Sequence, residues 1–95
     1  MKKEIWKYTL PIQRDTELCV PPGAVLLHVV QAPSSGGIAL WMMVNPDAMP
    51  VMRRFAVIGT GECFDDLIEE QYVGTAILGG FVWHVFDRGE AEEEL

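Results

Sequence analysis

Four side chains in this sequence are soft metal ligands, Cys19, His28, Cys63 and His84, and four is the number a tetrahedral structural zinc takes. Their spacing argues against that chemistry. Zinc sites are usually seeded by two ligands on one turn, as C-x2–4-C or H-x3–5-H, whereas the nearest pair here, Cys19 and His28, stands nine positions apart. No metal is expected, and the four are read as buried free cysteines and two unrelated histidines. A cysteine nucleophile would need a thiolate in a positive, partly exposed pocket with a histidine in reach. Cys63 is the better placed of the two, but Glu62, Asp65 and Asp66 surround it in sequence. We therefore assign no catalytic residue and no cofactor.

Binding chemistry has more to work with. Gly59-Thr60-Gly61-Glu62 follows an alternating segment, a place where backbone N–H groups can cradle an anion, but it lacks the further glycines or lysine of the nucleotide-binding loops and its glutamate repels phosphate. A strand-end turn is the preferred reading. Arg53 and Arg54 are the side chains we would choose for an anionic ligand, because the guanidinium fork matches phosphate; the competing role is to offset the acidic stretch 62–71. His84 alternates with Val82 and Phe86, and a histidine among apolar neighbours is commonly satisfied by hydrogen bonds within a core. If it shares a cavity with Trp41 or Tyr72, the result is an aromatic pocket with a few convergent polar groups, the usual form of a small-ligand site. Met49 and Met52 fall in a proline-flanked connection rather than in an alternating segment, and we expect them at an interface.

The elements that must position these residues are strands. Ile5–Leu10 alternates, with Trp6, Tyr8 and Leu10 on one face. Glu17–Val20 forms a short second strand before the Pro21-Pro22-Gly23 turn. Ala24–Gln31 is apolar on both faces, which predicts a central strand. After the Pro33–Gly37 loop come Ile38–Val44, an exposed connection Asp47–Met52, and Arg53–Thr60. Glu62–Gln71 is the one helix candidate, with Phe64, Leu67 and Ile68 at i, i+3 and i+4 opposite a run of acids. Tyr72–Leu78, Gly79-Gly80 and Phe81–Asp87 read as a closing hairpin. The expected fold is all-β: a small antiparallel sandwich or barrel of about six short strands, with at most one short helix near 63–71. Trp6, Leu26, Leu40, Val57 and Trp83 should share its core. Residues 1–88 form the single domain and 89–95 an acidic, frayed tail.

Composition closes off several classes. Ninety-five residues hold one domain, and a 49% hydrophobic content excludes intrinsic disorder. Fourteen acids against seven Lys and Arg give −7, so neither duplex nucleic acid nor an anionic membrane face is an expected partner. No apolar run approaches the roughly 20 residues of a spanning helix, and the N-terminus has no leader pattern. The expected location is the cytoplasm, where Cys19 and Cys63 stay reduced.

Taken in order, Ile5-Trp6-Lys7-Tyr8, Pro22-Gly23-Ala24, Leu40-Trp41, Ile58-Gly59-Thr60-Gly61, Tyr72-Val73-Gly74-Thr75 and Val82-Trp83-His84-Val85-Phe86 resemble a family of short, uncharacterised proteins of bacteriophages and prophages. The resemblance spans nearly the whole chain. It implies a phage accessory protein acting in the host cytoplasm, and it brings no activity with it. The expected function is non-enzymatic: binding, and sequestering, a host-derived small ligand such as a nucleotide signal in counter-defence, or else binding a host protein, with Arg53, Arg54, Trp41, Tyr72 and His84 at the ligand site. The alternative is an oligomerising protein-interaction or structural module, and a hydrolase comes third. A homo-oligomer, most simply a twofold dimer, is expected because so small a sheet leaves edges and apolar surface uncovered.

Overall fold

The computed structural model describes residues 2–32 and 36–91. Seven strands run in order: β1 (Glu4–Leu10), β2 (Asp15–Val20), β3 (Val25–Gln31), β4 (Ile38–Val44), β5 (Val51–Gly59), β6 (Tyr72–Leu78) and β7 (Phe81–Glu90). They make two sheets, β1-β4-β3 and β2-β5-β7-β6, and every pairing is antiparallel. The architecture is an all-β sandwich, not a closed barrel.

Alternation decides what lies between the sheets. Leu10, Ile38, Leu40, Met42 and Val44 from one sheet meet Val20, Phe55, Val57 and Val85 from the other, all of them buried, and Trp6, Leu26 and Trp83 pack against that cluster. The five residues expected to share a core, Trp6, Leu26, Leu40, Val57 and Trp83, do share it. At one end of the sandwich Arg53 and Asp87, 12% and 11% exposed, form an ion pair. Arg53 also donates to the Ala24 carbonyl at 2.7 Å, and Glu90 accepts the Gly23 N–H at 2.8 Å. These bonds tie the Pro21–Ala24 turn to β5 and β7. Gly79 and Gly80 both have positive φ, 62° and 81°, the requirement of a tight primed hairpin turn.

Several sequence expectations need correction. β3 is an edge strand, and β4 is the central one. A bulge also changes which of the β3 side chains face inward: Leu26 pairs with Met42 and His28 with Trp41, leaving Leu27 extra. Leu26 and Val29 therefore both turn inward, three residues apart, while Leu27 is 47% exposed. Glu62–Gln71 is not an α-helix. It is an irregular strap, bent at Asp65 and Asp66 and ending in a single 3-10 turn, Glu69–Gln71. A ten-residue helix is marginal without packing, and here the side chains that would cover its faces bind elsewhere. Glu62 accepts the Gly59 N–H, Asp66 pairs with Arg14 and Arg88, and only Leu67 is buried. The connection before β5 ends sooner than expected, since Val51 and Met52 already pair with Val20 and Cys19. Gly89 and Glu90 likewise pair with Arg54 and Arg53, so the strand outlasts the boundary placed at 88. The Pro33–Ser35 part of the expected loop and tail residues 92–95 lie outside the described residues.

Candidate functional site

The outer face of the β2-β5-β7-β6 sheet carries the polar groups that come together. A second bulge makes this happen. Tyr72 pairs with Phe86 and Gly74 with Val85, so Val73 is the extra residue. Without the bulge, Tyr72 and Thr75 would point to opposite faces, because side chains alternate along a strand. With it, both point outward and their hydroxyls hydrogen-bond to each other. Thr75 Oγ1 lies 3.1 Å from His84 Nδ1, and His84 Nε2 lies 2.8 Å from Thr60 Oγ1. Four polar groups from β6, β7 and the turn after β5 thus form one chain across the sheet. In the neutral ring one nitrogen donates and the other accepts, and the hydroxyls rotate to suit. Such linked bonds polarise one another and hold the groups in fixed directions.

Around this chain the lining is apolar. Phe86 meets Phe64 edge-on at 5.6 Å between ring centroids and Tyr72 at 5.7 Å. Phe64 comes from the strap, which Leu67 anchors on Ala56, Ile58 and Phe86. The cavity has a volume of about 250 Å³ and includes Ile58 and the Gly59–Glu62 turn. Glu62 is its one charged side chain. One carboxylate oxygen accepts the Gly59 N–H at 2.9 Å, which occupies a backbone donor that an anion would need.

The structure brings two of the five expected ligand residues, Tyr72 and His84, into this cavity. Trp41 lies on the outer face of the other sheet, where the Lys7 ammonium stands 5.8 Å from its ring; His28 is its register partner. Arg53 is turned into the sandwich, its guanidinium engaged by Asp87 and the Ala24 carbonyl. Arg54 is exposed and borders a separate cleft of about 490 Å³ with Gln13, Asp15, Glu17 and Arg88, a lining of mixed charge. Met49 is 83% exposed. Met52 lies on β5, its sulfur 3.3 Å from that of Cys19. Both cysteines are free, and both are exposed rather than buried. Among the described residues no three His, Cys, Asp or Glu side chains are grouped as a metal would require, and no helix is long and apolar enough to cross a membrane.

Sequence reasoning missed Thr60, Thr75, Phe64 and Phe86. A strict two-residue period places Tyr72 and Thr75 on opposite faces, and only Gly74 between them signals an irregularity.

The chain belongs to the family described as Domain of unknown function (DUF7352), whose model matches residues 1–95. No curated protein and no solved structure matches it.

Proposed function

We propose that this member of the DUF7352 family is a non-enzymatic binding protein whose site is the cavity over His84. The observation that carries the reading is that Thr60, Tyr72 and His84 line a pocket walled by Phe64 and Phe86 and are linked into one hydrogen-bond chain, His84 to Thr60 directly and to Tyr72 through Thr75. Aromatic walls with a small set of fixed polar groups suit a flat ligand that both stacks and hydrogen-bonds. No Lys or Arg lines the cavity and Glu62 does, so the bound portion is neutral or cationic. A nucleobase or nucleoside fits that description, and any phosphate would project out of the cavity. The resemblance to bacteriophage proteins supports placing this binding in a phage accessory role, with a host-derived, nucleotide-like signal as the molecule held.

The test is a titration of the 15N-labelled protein with adenosine, guanosine, cytidine and uridine and their monophosphates, followed by amide shifts. A nucleoside should move the amides of Thr60, Thr75 and His84, and the monophosphate should bind no more tightly. His84→Ala should weaken binding about tenfold, as expected when a group that hydrogen-bonds the ligand is lost. The reading fails if no probe shifts these amides at millimolar concentration, or if the shifts fall on the outer face of the β1-β4-β3 sheet.

A further inference from the structure

The two outer faces of the sandwich are unequal. That of β2-β5-β7-β6 has the 62–71 strap over it, with Leu67 buried on Ala56, Ile58 and Phe86. That of β1-β4-β3 has no such cover among the described residues, yet its outward rows are mostly apolar. Register lines up Ile5, Met43 and Val25 in one row and Lys7, Trp41 and His28 in the next. Ile5 is 61% exposed, Val25 49%, Leu27 47%, Val30 38% and Trp41 37%. Outward-facing sheet residues are ordinarily polar where one side meets solvent. The apolar content of β3 on both faces, which in the sequence reads as a strand covered on both sides, is only half satisfied within one chain.

We propose that a second copy of this chain covers that face, giving a twofold dimer with the two β1-β4-β3 sheets stacked. Charge singles out the identical face as the partner. The chain carries −7, and the three strands present no carboxylate on this side. The opposite side carries Asp15 and Glu17 on β2, with Asp65 and Asp66 on the strap. Two copies therefore meet with least repulsion here, their acidic sides turned away. Shape agrees, since sheets stack face to face about 10 Å apart. Size sets the strength. Three seven-residue strands give a footprint of about 14 by 23 Å. That is the range of a functional patch on a monomer and below the roughly 800 Å² per partner of a standard interface. The dimer is accordingly a reversible one, with a dissociation constant on the order of tens of micromolar. Met49 and Met52 take no part, because neither lies on this sheet.

Sedimentation velocity of the full chain from about 5 to about 500 μM tests this, on the wild type and on Leu27→Glu, Trp41→Glu and Ile77→Glu. All three side chains are more than a third exposed, and far-UV circular dichroism confirms the fold of each variant. The wild type should pass from monomer to dimer across the range. Leu27→Glu and Trp41→Glu should each raise the dissociation constant about tenfold or more, while Ile77→Glu, on β6 of the other sheet, should leave it unchanged. If one face variant unfolds, the other decides. A wild type monomeric throughout, a dimer that survives both face variants, or a dimer lost in Ile77→Glu overturns the proposal. A face that instead binds only a different protein would appear as the first of these outcomes.

Discussion

Gly74→Ala offers a direct probe of how the two sheets meet and of the bulge that builds the cavity. A Cβ added at Gly74 would lie 2.7 Å from the Val29 Cβ and 2.8 Å from its Cγ2, against about 3.5–4.0 Å for an ordinary carbon contact. The seam between β3 and β6 would have to open by roughly 1 Å. Overpacking of this kind costs about 1–3 kcal/mol, and replacing a strand glycine by alanine returns about 0.5–1 kcal/mol. The expected net loss is about 1 kcal/mol. Val29→Ala removes two methyls from a residue only 7% exposed and should cost about 1–3 kcal/mol alone. Combined, the two should cost less than their sum by about 1–2 kcal/mol, because the lone Cβ left at position 29 can retreat. Urea unfolding followed by tryptophan fluorescence reads this cycle, with Trp6 and Trp83 packed on the core as reporters. Additivity within about 0.5 kcal/mol would show that Val29 and Gly74 do not touch and would refute the seam. Gly74→Ala should also shift the amides of Thr75 and His84, since it presses on the residue beside the Val73 bulge.

Two further outcomes follow from the same geometry. Arg53→Ala should destabilise by about 3 kcal/mol in urea unfolding, the cost of leaving a largely buried carboxylate at Asp87 unpaired, whereas Arg53→Met with Asp87→Leu should recover most of it; equal losses in both would refute a structural role for the pair. Burial first, and then the nearby Cys19, raises the Tyr8 hydroxyl above its ordinary value. A group raised in the folded state contributes stability that is complete below its unfolded pKa and lost as pH rises through the folded one, so stability should fall from about pH 10 upward. Tyr8→Phe should flatten that fall in thermal melts, and an unchanged slope would refute the assignment.

The architecture was legible because it rests on short-range patterning. Alternation in Ile5–Leu10 and Phe81–Asp87, the Pro21-Pro22-Gly23 turn and the paired glycines at 79 and 80 are local signals, each with a local physical cause: pleat, fixed φ and freedom at positive φ. They suffice to place strands, turns and the residues of the core. The helix expected at 62–71 shows where local reasoning stops, because Glu62, Asp66 and Leu67 are claimed by Gly59, by Arg14 and Arg88, and by the outer face of the sheet. Arg53 and Arg54 look alike in sequence, yet one is turned to Asp87 inside the sandwich and the other outward, a difference set by strand phase against the second sheet. The cavity depended most on tertiary structure. Its polar chain exists because β6 gains one residue over β7 at Val73, and an inserted residue reverses every later side chain relative to the strict period. The residue types at Thr60, Tyr72, Thr75 and His84 were plain in the sequence, but their shared face was decided only when β5, β6 and β7 paired, since register is a property of two strands and no single strand's pattern contains it.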